Sequence, residues 1–107
     1  MFGVESLQDS PVLVIGEDSG GAAIGMVRFD LSGGRAEVSI NLAPAARGKS
    51  LSAALLRAAE PWVTGRAEVL IAAIKPTNQP SIRAFERAGY RAVTGDSAGL
   101  LRLEKQL

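Results

Sequence analysis

Arg35-Ala36-Glu37-Val38-Ser39-Ile40-Asn41-Leu42-Ala43-Pro44-Ala45-Ala46-Arg47-Gly48-Lys49-Ser50-Leu51-Ser52-Ala53-Ala54-Leu55-Leu56 changes its period part-way along, and that change decides the fold. Up to Ala43 the apolar residues alternate. Val38, Ile40 and Leu42 fall on one side and Glu37, Ser39 and Asn41 on the other, the period of a half-buried strand. From Ser50 the period becomes helical: Leu51, Leu55, Ala58 and Trp62 share a stripe in an Ala- and Leu-rich run that ends near Thr64-Gly65. The run Val69-Leu70-Ile71-Ala72-Ala73-Ile74 is apolar on both faces, as expected of a strand covered by helices on each side, and Pro76 stops it. A strand, a helix and a second strand in this order form a crossover, so the two strands run parallel.

Upstream, Pro11 to Gly16 reads as the first strand, closed by the turn-forming cluster Glu17-Asp18-Ser19-Gly20-Gly21. A second strand runs from about Ala22 to Leu31. Ser32-Gly33-Gly34 then turns the chain into the strand Arg35 to Ala43, antiparallel to its predecessor. Downstream, Asn78 is placed to cap a helix from Gln79 to Ala88, with Pro80 in its first turn, Ile82 and Phe85 on its apolar stripe and Gly89 at its end. The tail gives two weaker strand signals, around Val93 and from Leu100 to Leu103. The order β-β-β-α-β-α-β-β describes an α/β fold with a mixed, mostly antiparallel sheet and two main helices.

The 107 residues allow one domain, and 47% hydrophobic content is enough for a core. Twelve basic against eleven acidic residues leave a net charge of +1, which favours neither nucleic acid nor an anionic membrane as partner. The chain has neither Cys nor His, so a thiolate nucleophile, a Ser-His-Asp triad and cysteine or histidine metal sites are excluded. No metal is expected. Apolar runs such as Val12 to Ile15 are too short to span a bilayer and no signal sequence opens the chain, so the expected location is the cytoplasm.

Between strand and helix, Ala43 to Ser52 is built of small residues with two cations just ahead of a helix start. The unpaired N–H groups and partial positive charge of a helix N-terminus make such a junction an anion site, or else an ordinary capped loop with solvated basic side chains. Gly48-Lys49-Ser50 also ends the phosphate loop G-x-x-x-x-G-K-[ST]. Here, however, Ala43 takes the place of its first glycine, and the strand Val69 to Ile74 runs into Lys75-Pro76 with no magnesium-binding Asp.

Ala36 to Pro44, Arg47 to Leu56, and Asn78-Gln79-Pro80-Ser81-Ile82-Arg83-Ala84-Phe85-Glu86-Arg87-Ala88-Gly89-Tyr90 together resemble the GNAT superfamily of acetyl-CoA-dependent N-acetyltransferases, over Pro11 to about Val93. The family motif R/Q-x-x-G-x-G/A cradles the diphosphate of CoA with backbone amides. Arg47 matches its opening residue, while Ser50 and Ser52 stand where the glycines would. The second motif matches Asn78, Ser81, Phe85, Gly89 and Tyr90. The resemblance implies a parallel strand pair that splays apart around the pantetheine arm. It places cofactor contacts at Ile40, Asn41 and Leu42, at Arg47, Gly48, Lys49, Ser50, Leu51, Ser52 and Ala53, and at Asn78, Ser81 and Phe85.

In that family a strand amide near Ile40 to Leu42 polarises the thioester carbonyl. Glu37 matches a position used as general base. Its other reading is an exposed strand carboxylate paired with Arg28 or Arg35. Phe85 stands where many relatives carry a proton-donating Tyr, which leaves that role to Tyr90 or Ser81. The chain also starts later than its relatives and is expected to lack most of their N-terminal strand and helices, so that a homodimer or a fused partner would complete the acceptor site. The implied activity is direct acetyl transfer to a primary amine of a small molecule, with a lean to an amino sugar, or of a protein. The alternative is a CoA-binding or protein-interaction module without catalysis.

Overall fold

The computed structural model describes residues 2–9, 11–48, 51–93 and 99–107. It contains seven strands and two α-helices: β1 (Phe2–Asp9), β2 (Val12–Asp18), β3 (Ala23–Ser32), β4 (Arg35–Leu42), α1 (Ser52–Ala59), β5 (Val69–Ile74), α2 (Gln79–Arg87), β6 (Arg91–Val93) and β7 (Leu101–Gln106). They form one sheet in the order β1-β2-β3-β4-β5-β7-β6. Every neighbouring pair is antiparallel except β4 and β5.

Local chemistry fixes the hairpins. The Asp18 carboxylate accepts from the N–H groups of Gly20 and Ala22, each at 2.9 Å, and folds the turn between β2 and β3. Gly33 and Gly34 have φ of 57° and 80°, the paired left-handed geometry that a two-residue hairpin between twisted strands requires. At α2, the Asn78 side chain accepts from Ser81 N–H at 3.3 Å, as its capping role predicts. The helix closes where Tyr90 N–H donates to Phe85 C=O and Gly89 N–H to Glu86 C=O, both at 3.0 Å, with Gly89 at φ 100°.

Strand β1 is absent from the sequence reading, which begins the sheet at Pro11. Its own pattern is weak, since Gly3, Ser6 and Gln8 interrupt any apolar alternation. Pairing along nearly the whole of β2, with Val4 packed on the core, makes it a strand. Only Ser10 and Pro11 separate it from β2, so no helix stands between them.

A second difference concerns the helices. Leu70, Ala72 and Ile74 of β5 join one buried cluster with Leu55 and Leu56 of α1 and Ile82 and Phe85 of α2. Both helices therefore lie on the same face of the sheet, not one on each side of β5. Ile71, only 8% exposed, shares the other face with the exposed Ala73, Glu37, Ser39 and Asn41. We call the two sides the helix face and the open face. The apolar run of β5 looked two-sided because neighbouring strands bury Ile71 without a covering helix.

One buried side-chain polar atom among the described residues lacks a partner. Tyr90 is buried edge-to-face on Phe85, with ring centroids 4.9 Å apart, and its hydroxyl has no hydrogen bond. Burial, then the nearby charge of Glu60, pushes the phenol above its ordinary value of 10.0. The neutral form is thus the one the fold favours, and its contribution to stability is complete below pH 10 and is lost as pH rises beyond it. Tyr90→Phe removes the unpaired hydroxyl and should stabilise the chain by about 1 kcal/mol, a rise in Tm of roughly 4–8 °C. The gap should widen above pH 10. Thermal melts at pH 7.5 and 10.5 measure both, and a less stable variant would mean that the hydroxyl has a partner.

Candidate active site

The ladder between β4 and β5 is short. Arg35 pairs with Val69, Ala36 with Leu70 and Glu37 with Ile71, and there it ends, although β4 continues to Leu42 and β5 to Ile74. Beyond Glu37 the two strands diverge and leave a slot through the sheet. On the other edge of β4 the pairing with β3 persists to Leu42, and Ala43 N–H donates to Ile24 C=O at 2.8 Å. Backbone groups alternate in direction along a strand, so the N–H groups of Ile40 and Leu42 point the opposite way, into the slot.

On the helix face Leu42, at the end of β4, borders a groove of about 330 Å³ between the N-terminus of α1 and the outer side of α2. Leu42, Gly48, Ser52 and Ala53 line one wall and Pro80, Arg83, Ala84 and Arg87 the other. Among the described residues the first turn of α1 carries no side-chain cap, and Leu55 N–H donates to Leu51 C=O; the N–H groups of a helix's first turn have no partner within the helix. Gly48, at φ 77°, makes the turn and has open space where a Cβ would sit. Among the described residues two guanidiniums and no carboxylate line the groove.

On the open face, a hollow of about 300 Å³ lies over the ends of β2, β3 and β4, with Ile15, Met26, Asn41, Pro44 and Arg47 in its wall. Leu42 borders both the groove and the hollow. The Arg47 side chain folds back toward β4, where its Nε donates to Leu42 C=O at 3.3 Å.

Glu37 is exposed on the open face at the last rung before the slot. Its cross-strand neighbour is Asp30. Arg28 belongs to Asp30, to whose two carboxylate oxygens it donates at 2.9 to 3.1 Å, an arrangement that raises the pKa of the guanidinium. Among the described residues Glu37 has no ion pair, with Arg28, Arg35 or any other.

The remaining sequence-derived site residues divide. Ile40, Asn41, Leu42, Gly48, Ser52 and Ala53 border the slot, the groove or the hollow, and Leu51 is the N-cap of α1. Lys49 and Ser50 lie outside the described residues. Asn78 uses its oxygen to cap α2, bonding Ser81 N–H. Phe85, 2% exposed, packs in the core behind α2 and takes no part in lining the groove. Tyr90 is buried beside it, which removes it as a proton donor to the slot. Sequence reasoning passed over Arg83 and Arg87. The helical period would have found them, since they share the face opposite Ile82 and Phe85.

A profile of the acetyltransferase (GNAT) family matches residues 4–90. The chain belongs to the GNAT acetyltransferase family. Among solved structures, the GNAT domain of S. lividans PAT is 27% identical to this GNAT chain with a TM-score of 0.80, over 90% of this chain and 60% of that one. A variant of the spermidine N-acetyltransferase SpeG from Vibrio cholerae is 19% identical with a TM-score of 0.75, over 89% and 63%. An acetyltransferase from Agrobacterium tumefaciens is 17% identical with a TM-score of 0.74, over 89% and 60%. The last two likenesses show the fold alone. This GNAT chain spans less than two thirds of the length of each of the three. No curated protein sequence matches it.

Proposed function

We propose that this chain is an N-acetyltransferase that moves the acetyl group of acetyl-CoA directly to a primary amine, with the donor seated from the helix face and the amine arriving from the open face. The observation that carries this reading is the end of the β4–β5 ladder at Glu37 and Ile71, with Leu42 farther along β4 bordering a groove that holds Arg83 and Arg87 on one face and a hollow on the other. The residues present fit a CoA thioester. Open N–H groups at α1, Arg83 and Arg87 suit its phosphates, the slot suits its extended arm, and the N–H groups of Ile40 and Leu42 face where a carbonyl would lie.

Acetyl-CoA supplies an activated acyl carbon. Ile40 and Leu42 donate to the oxygen that gains charge as the amine nitrogen bonds to that carbon. Glu37 accepts the proton that the amine loses, and the C–S bond breaks to release CoA as the thiolate, which takes its proton from solvent. Three residues of strand separate Glu37 from Ile40, about 10 Å, so Glu37 acts through water. Among the described residues no side chain at the slot replaces a tyrosine acid, and thiolate leaves without one. Arg47 in the wall of the hollow, with no carboxylate beside it among the described residues, disfavours a polyamine such as the spermidine of SpeG, and leaves small amines, an amino sugar among them, and protein amines. A second copy or a fused segment over the open face would complete the acceptor wall.

The second reading, a CoA-binding module without turnover, rests on that uncovered face. Thiol release from acetyl-CoA across an amine panel separates the two, with no protein background because the chain has no Cys. Release that requires an amine supports the enzyme. Binding without release supports the module.

A further inference from the structure

Arg83 and Arg87 sit one helical turn apart on α2 and face the same groove. Side chains at this spacing are neighbours, about 5–6 Å apart at Cβ, and like charges there weaken a helix. Among the described residues neither guanidinium donates to a partner. The contact made at Arg87 is to its backbone carbonyl, which accepts from Arg57 of α1 and leaves the Arg87 side chain free. Among the described residues no carboxylate lines the groove to offset the pair. Two uncompensated cations in one wall call for a compact ligand group with two negative charges.

We infer that Arg83 and Arg87 together bind the ribose 3′-phosphate of CoA and make the chain selective for CoA over its 3′-dephospho form. This inference rests on the acetyl-CoA reading above. Within CoA each phosphorus of the diphosphate bridge carries one negative charge, whereas a terminal phosphomonoester approaches two at neutral pH with a second pKa near 6. The planar forks of two arginines match its oxygens. The open donors of α1, on the opposite wall, remain for the bridge. Both groups of one nucleotide are then held across a single groove.

Calorimetric titration with CoA and with 3′-dephospho-CoA tests this on the full chain, its Arg83→Gln/Arg87→Gln variant, and Arg91→Gln as a charge control on the exposed strand β6. The natural chain should bind CoA about tenfold more tightly than the dephospho form, the order expected of one charge-assisted contact. In the double variant the ratio should fall below about twofold through weaker CoA binding, and Arg91→Gln should leave it intact. Equal affinities in the natural chain, equal weakening of both nucleotides in the double variant, or the same collapse in Arg91→Gln would each overturn the inference. The first and third outcomes leave the acetyl-CoA reading standing, and equal weakening moves the arginines to the bridge. Failure of both nucleotides to bind the natural chain would remove that reading and the inference with it.

Discussion

Replacing Glu37 by Gln lowers kcat for amine acetylation about 10²- to 10⁴-fold, the range general-base catalysis contributes, while acetyl-CoA affinity stays within about twofold. The split between the two effects is what makes the result informative. Glu37 is exposed on the open face, away from the groove that receives the donor, so the change of charge is distant from any phosphate. The amide is nearly isosteric, and the rung from Glu37 to Ile71 is a backbone pairing that does not depend on the side chain. Part of the lost rate should return as pH rises, because a larger fraction of the amine then arrives unprotonated and needs no base to make it nucleophilic. Unchanged kcat would remove Glu37 from the reaction. Weakened acetyl-CoA binding with unchanged kcat would move it to the donor site.

Leu55→Ala destabilises the chain by about 2–5 kcal/mol, a large part of the 5–15 kcal/mol typical of a domain. Leu55 is fully buried in α1, and its Cδ1 lies 2.7 Å from where a Cβ on Gly16 of β2 would be. A glycine inside a strand is usually unfavourable, so its presence here marks close approach of the helix to the sheet. Gly16→Ala alone overpacks this contact by about 1–3 kcal/mol. In the double variant the new methyl enters the space the leucine vacated, and the two effects should sum to at least about 1 kcal/mol more than the double variant loses. Denaturant unfolding of the four chains measures the cycle. Strict additivity would show that α1 does not rest on β2 through this pair. Because α1 carries the donor end of the groove, Leu55→Ala should also weaken acetyl-CoA binding.

Much of this arrangement was legible in residues 35–56, where the period switches from two to about 3.6, and in the capped helix after Asn78. Local pattern suffices there because each element carries its own apolar stripe and stop signal. β1 was not legible, since its strand character comes from pairing with β2 more than from its own sequence. The shared side of the two helices was hidden as well, because an apolar residue such as Ile71 looks the same whether a helix or neighbouring strands bury it. At the site, Glu37 and the strand amides near Ile40 to Leu42 came from the family resemblance, and strand alternation adds the direction of the Ile40 and Leu42 N–H groups once the slot is placed. The slot itself is a missing set of hydrogen bonds, which no residue type announces. Phe85 illustrates the converse: its position in the motif suggested a groove contact, but the helical period that makes it apolar turns it into the core.

Titration of the chain with acetyl-CoA tests most directly whether the slot between β4 and β5 and the groove beside α1 form a thioester site. A single saturable site is expected, and at 100 times its Kd the ligand should add about 2.7 kcal/mol of stability, a rise in Tm of about 10 °C or more. No heat of binding and no shift in Tm at millimolar acetyl-CoA would contradict it.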